Sequence, residues 1–295
     1  MHQTKHAQPV GLQPGIYFKL SNEAYHLDPS LSHSGMTNLL VSWPDYWERS
    51  CHNPNRRDYI QTDAMAFGER CHAYLLEENE FFNRFGVHGQ KFDYKKHVPI
   101  SSIEFSKIKK SIECIRRIPE ADNHFKGGYP EVTIIWLDPS TKIMLRARID
   151  YLRIFGAIDY KRIKGMDNFT IGRAVKDQGL DIQAFLYIEA IRHARIMLKG
   201  KNPNVVGDVD QDWILGFTHN KGEMFRFLFQ RSTTPYIWSF RELAPEVIEE
   251  GERAVRTAIA LYKKNIERYG VAEPPSGSAV VDEISSFHIP RRNYD

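Results

Sequence analysis

One block of the chain restricts its fold more than any other. Between residues 131 and 164 the hydrophobic spacing drops to two, in "EVTIIWLD" (131–138), "KIMLRARIDYLRI" (142–154) and "GAIDYKRIK" (156–164). Turn sequences at "DPST" and at Phe155-Gly156 separate the three stretches, which therefore predict an antiparallel meander of strands. Side chains on a strand point alternately to its two faces. Asp159 and Lys161 thus share one face of the third strand, and Ile158 and Tyr160 share the other.

Helical spacing surrounds this block. "LSNEAYHLDPSLSHSGMTNLL" offers Ser21 and Ser32 or Ser34 as N-caps, and "WPDYWERS" puts Pro44 where a first turn tolerates it. "TDAMAFGERCHAYLLE" opens at Thr62 or Asp63 and lines up Met65, Gly68, His72, Leu75 and Leu76 along one side. Residues 100–118 form an amphipathic helix carrying Ile103, Ile108, Ile112 and Ile115. After the meander, "NFTIGRAVKDQG" and "LDIQAFLYIEAIRHARIMLK" return to helix. "QDWILGFTH" and "EMFRFLFQR" predict a second hairpin around Asn220–Gly222. Residues 242–269 form a last long helix, acidic early and basic late, as the helix dipole favours. The expected architecture is α/β or α+β, a central mixed β-sheet flanked by helices. One domain over 15–270 is expected, with a flexible arm at 1–14 and an irregular tail at 271–295.

No apolar run approaches the ~20 residues of a membrane span, and "MHQTKHAQPVGLQPG" lacks the apolar core of a signal peptide. A cytoplasmic protein is the expectation. Cys51, Cys71 and Cys114 form no C-x-x-C pair, which argues against a zinc ribbon or an iron–sulfur cluster within one chain and fits buried, reduced thiols. The net charge of +3 says little, but residues 142–176 hold nine basic residues against three acidic ones. Such a local excess suits either a solvated face or a groove for phosphates.

Four elements bear on the Asp159/Lys161 pair. Asp150 closes the preceding strand, so a hairpin brings it near Asp159 at one end of the sheet. Two carboxylates that close repel unless a cation lies between them, and Mg²⁺ prefers such hard oxygen ligands. Lys161 could orient or deprotonate an attacking water. His72 lies one turn from Gly68 on a helix face, and a lone histidine there is more often structural than a ligand. Gln183 and Tyr187 share a helical face, with Tyr187 equally readable as core.

Taken in order, G-x-x-x-H on a helix, Asp at a strand end, D-x-K on the next strand and Q-x-x-x-Y on a helix resemble the PD-(D/E)XK nuclease superfamily, in its RecB-like pattern. "GIYFKLSNEAYHLDPSLSHSGMTNLLVSWPDYW", "AMAFGERCHAYLLE", "LRARIDYLRIFGAIDYKRI" and "DIQAFLYIEAI" narrow the resemblance to RecE-like (exonuclease VIII type) exodeoxyribonucleases of phages and prophages, over roughly residues 15–230. The resemblance implies a restriction-endonuclease-like core. It implies His72, Asp150 and Asp159 as metal ligands with Glu131 as a lesser one, Lys161 as the catalytic lysine, and Gln183 and Tyr187 flanking the active site against the DNA strand. It further implies dependence on Mg²⁺, with Mn²⁺ as a substitute, and digestion of linear duplex DNA from 5′ ends. The 3′ single strands left would pass to an annealing partner of the RecT type, and a ring-shaped homo-oligomer in a bacterial host cell is expected. The helix start "SHSG" is suited to anions. Ser32 and Ser34, with Arg146 or Arg148, are candidates for a terminal phosphate, although both serines read equally well as simple caps. Arg162, directly after the lysine, departs from the usual pattern and is either a phosphate contact or a solvated side chain. Two other readings stand: a structure-specific endonuclease of the same superfamily, and a non-catalytic DNA-binding protein with a nuclease fold.

Overall fold

The computed structural model describes residues 9–56 and 61–274. The expected arm therefore lies outside the described residues over 1–8, and the expected tail from 275 onward. The chain opens with a short strand β1 (Gly15–Tyr17), then α1 (Asn22–Leu27), α2 (His33–Val41) and α3 (Trp43–Arg49). Ser21, Ser32 and Ser42 cap these three helices through their side-chain oxygens. Helix α4 (Asp63–Leu76), capped by Thr62, leads through α5 (Glu78–Arg84) to the strands β2 (Phe85–Val87) and β3 (Val98–Ile100), which pair in parallel. Helix α6 (Ser102–Arg116) and the short α7 (Pro119–Asp122) precede the meander. On α6, Ile108, Ile112 and Ile115 are buried while Ile103 is exposed, because Ile103 falls off the inward stripe.

The meander forms as its period predicts: β4 (Tyr129–Leu137), β5 (Met144–Arg153) and β6 (Gly156–Ile163), antiparallel in sequence. Helices α8 (Asn168–Asp177) and α9 (Leu180–Leu198) follow, then β7 (Val205–Val206), α10 (Gln211–His219), β8 (Met224–Arg231), β9 (Trp238–Arg241) and the long α11 (Pro245–Tyr269). Among the described residues the main sheet has the order β7-β1-β4-β5-β6-β8-β9. It is mixed, since β1 pairs with β7 and β6 with β8 in parallel.

The hairpin expected around Asn220 does not form. "QDWILGFTH" is helix α10, capped by Asp210, and β8 instead runs parallel to β6 through the α8–α9–α10 crossover. Trp213 and Phe217, four apart, stack at 5.2 Å on the inward side of that helix, a helical spacing hidden in a short apolar run.

Two apolar clusters cover the sheet. Helix α9 and β4 provide Leu186, Ile191, Ile134 and Trp136 to one, which also takes Val255 and Ile259 of α11. The other gathers α4 and α6 around Tyr151, Ile158, Tyr160 and Leu228. No helix among the described residues is long and apolar enough to cross a membrane. All three cysteines are free, and Cys114 is only partly buried, contrary to the expectation for three buried thiols.

Candidate metal centre and nuclease site

The site occupies an interruption of the sheet. Strands β5 and β6 pair at Tyr151↔Ile158, Leu152↔Ala157 and Arg153↔Gly156, and the ladder stops there. The next residues along, Asp150 and Asp159, flank the opening between the two strands. Asp150 Oδ2 accepts the Tyr160 backbone N–H at 3.0 Å, replacing a ladder bond with a side chain. On the other side of β5, β4 pairs at Pro130↔Tyr151 and Val132↔Ile149 but skips Glu131 and Asp150. Glu131 has φ +52°, a left-handed conformation that costs a non-glycine residue about 1–2 kcal/mol. Facing also changes here: Ala147 and Ile149 pack in one apolar cluster and Tyr151 in the other, where strict alternation would keep them together. Backbone strain and an interrupted ladder both occur where the chemistry-bearing side chains collect.

From α4, His72 reaches across to this opening. Its Nε2 lies 2.8 Å from Asp150 Oδ2 and its Nδ1 3.3 Å from Glu131 Oε1. One ligand atom from each of His72, Glu131 and Asp150 lies within 4.8 Å of the others. Asp159, fully buried, is held differently. Its Oδ1 accepts a hydrogen bond from Gln183 Nε2 at 2.6 Å. Its Oδ2 accepts from the Lys161 ammonium, whose Nζ lies 2.5 Å away. The ligand trio drawn from the sequence was His72, Asp150 and Asp159; the tight group in the structure contains Glu131 in place of Asp159.

The electrostatics follow from this crowding. Burial alone would lower the His72 pKa, but Asp150, Glu131 and Asp159 outweigh it and raise it to about 9. Asp150, opposed by burial, is lowered to about 2 by His72, Lys161 and the Tyr160 N–H. Burial, then repulsion from Asp150, raises Asp159 to about 7. Glu131 is raised by burial. Lys161 is raised despite its burial, by Asp159 and Asp150. The cationic imidazolium thus bridges two carboxylates, the place a metal ion would take. One nitrogen and two carboxylates suit a divalent cation of the Mg²⁺ or Mn²⁺ type, and Asp159, paired with Lys161, offers a further carboxylate beside them.

Other expected residues are placed otherwise. Tyr187 is buried and packs edge-on against Phe225, so it supports the site from within and offers no face to a DNA strand. Arg146 is only 8% exposed; its guanidinium donates to the backbone oxygens of Asp28 and Ser30 and lies over Tyr25. Arg148 braces Thr133, Asn22, Leu20 and Ser21. Arg162 points to the opposite face from Lys161, donating to Ser111 Oγ, Cys71 Sγ and Ser232 O. All three arginines are committed to the protein's own acceptors, because the parity of a strand hides which face has partners waiting. Ser32 is buried and caps α2; Ser34 is exposed, its Oγ 3.2 Å from that of Ser32.

One neighbour escaped the sequence reading. His33, between the two serines, shares a 2.9 Å hydrogen bond between its Nε2 and the Gly179 carbonyl oxygen, which also accepts the Gln183 N–H. Burial, then the Lys161 charge, lowers its pKa to about 4, so it is neutral and Nε2 is the donor. It ties the start of α2 to the start of α9, the helix that presents Gln183 to Asp159. The only signal available was its position inside "SHSG".

Residues 42–204 match the family described as a PDDEXK-like domain of unknown function (DUF3799). A solved structure described as a candidate exonuclease from Eubacterium rectale is similar in fold, with a TM-score of 0.56 at 15% identity, covering 91% of this chain and 97% of that one. No curated protein matches the chain.

Proposed function

Since the chain belongs to the PDDEXK-like family DUF3799, whose fold supports a nuclease, we propose that it is a divalent-metal-dependent exodeoxyribonuclease acting on linear duplex DNA. The observation that carries this reading is the convergence of His72, Glu131 and Asp150 on one point, with Asp159 and Lys161 paired beside it. His72, Glu131, Asp150 and Asp159 would hold the cation, Mg²⁺ or Mn²⁺, which when bound would polarise a phosphate and acidify water. Lys161 orients the attacking water and balances charge on the phosphoryl oxygens. Gln183 fixes Asp159 by its 2.6 Å bond, and the Tyr160 N–H fixes Asp150. Ser34, exposed on the first turn of α2, is the proposed contact for a terminal phosphate.

The finer reading is RecE-like: digestion from 5′ ends that leaves 3′ strands for a RecT-type annealing protein, by a ring-shaped oligomer in the bacterial cytoplasm. The deciding experiment is digestion of 5′- and 3′-labelled linear duplex beside covalently closed circular DNA, with and without Mg²⁺. Loss of the linear 5′ label alone, dependent on Mg²⁺, is expected. Cutting of the circle would make the protein an endonuclease, and no cutting of either would leave a DNA-binding scaffold.

The raised His72 pKa also makes cation binding a proton-release event. At pH 8 His72 holds its proton, being below about 9, while Asp159 has lost its own, being above about 7. Loading the cluster should therefore expel about one proton per ion at pH 8. Calorimetry in buffers of different ionisation enthalpy measures this, and proton-free binding would remove His72 from the ligand set.

A further inference from the structure

The loop joining β2 to β3, "HGQKFDYKKH" (88–97), takes no part in the site above. It carries Lys91, Lys95 and Lys96 against a single acid, Asp93. That acid is occupied within the loop: its carboxylate accepts the Lys95 N–H at 2.9 Å, and its backbone oxygen accepts those of Lys96 and His97 at 3.1 and 3.0 Å. The three lysines are exposed and enter no ion pair among the described residues.

The loop is anchored as well as charged. The His88 N–H donates to Ile100 O at 2.9 Å and the Gln90 N–H to Val87 O at 3.0 Å. Phe92 lies flat on β2 where Gly86 leaves room; a β-carbon there would come within 2.1 Å of the ring. Tyr94 rests on Phe92, ring centroids 4.4 Å apart, and remains 67% exposed. His88 and His97 flank the pair, each 6.2 Å from one of the two rings. An exposed aromatic ring thus shares this loop with three exposed lysines.

Charge complementarity selects a polyanion, and the exposed ring selects one with unstacked planar groups. A duplex presents its phosphates but hides its base faces; a single strand presents both. We propose that this loop is a platform for single-stranded DNA, with Tyr94 stacking on an unpaired base and Lys91, Lys95 and Lys96 following the backbone. The proposal rests on the nuclease reading for its source of ligand, the unpaired strand that digestion leaves.

The test is fluorescence anisotropy of a labelled single-stranded oligodeoxynucleotide and of a fully paired, blunt-ended duplex, in EDTA, with the full chain. Tyr94→Ala should weaken single-strand binding about tenfold or more and leave duplex binding unchanged, and Tyr94→Phe should bind like the parent. Replacing the three lysines by alanine should flatten the salt dependence of single-strand binding by about two ions. Unchanged single-strand affinity in Tyr94→Ala, or equal losses on strand and duplex, would overturn the platform. Because no cation is present, the assay reads the loop whether or not the protein cuts. Tyr94-dependent strand binding by a protein that digests nothing would overturn the nuclease reading alone.

Discussion

Under the proposed function, Lys161→Ala is expected to lower Mg²⁺-dependent digestion of linear duplex DNA about 10²–10³-fold while the protein stays folded. Lys161 is the cation nearest the buried Asp159 carboxylate, at 2.5 Å, and its side chain retains enough exposure to reach a substrate. Its removal would delete the group proposed to position water. It also lets the Asp159 pKa climb beyond about 7, so the carboxyl holds its proton at neutral pH and ceases to be a ligand. Raising the pH should then restore part of the cation affinity and little of the rate, since the lysine itself is missing. Asp159→Asn, which keeps an acceptor for Gln183, should lose activity to the same extent. Circular dichroism establishes folding and gel assays the rate; full digestion by either folded variant would refute the assignment.

A large effect on stability is expected at Gly251→Ala. Gly251 lies inside α11 against the first turn of α9, and a β-carbon there would stand 2.2 Å from the Asp181 carbonyl oxygen and 2.6 Å from its carbon. Both contacts are backbone, so no rotamer relieves them and the helices must separate. Overpacking of that kind costs about 3 kcal/mol, and alanine's better helix propensity returns about 1 kcal/mol, leaving a net loss of about 2 kcal/mol. Urea unfolding measures it. Because Asp181 lies two residues before Gln183, the shift should also loosen the Gln183–Asp159 bond, and digestion should fall with stability. A variant as stable as the parent would show that α9 and α11 do not pack here.

What the sequence made legible was local. The two-residue period of 131–164 and the caps depend on neighbours within a few positions; Ser21 caps as read, and of the alternatives Ser32/Ser34 and Thr62/Asp63 the first of each is the cap. The pairing of Asp159 with Lys161 and the reach of Gln183 follow from the same parity and helical spacing. What stayed hidden was set by distant partners. Arg146, Arg148 and Arg162 look like a basic face until the segment around Asp28, the Tyr25 ring and Ser111 take them up. Strand β1 finds its place only by lying between β4 and β7. The α10 segment was misread because nine residues of mixed apolar character satisfy both periods, and the Asp210 cap decides between them. The weight of Glu131 in the cluster depends on its left-handed backbone, which no spacing reveals.

That backbone has an evolutionary consequence. Glycine, and to a lesser degree asparagine, occupies φ near +52° with less steric cost than glutamate. Random substitution at position 131 therefore keeps offering the lineage a more relaxed chain in exchange for one carboxylate, and under the proposed chemistry only purifying selection on cleavage refuses the offer. A descendant that kept the scaffold for another purpose would shed this glutamate early, before the deeper residues of the fold. Under the proposed chemistry, the identity of residue 131 in each relative should report whether its cation site is complete.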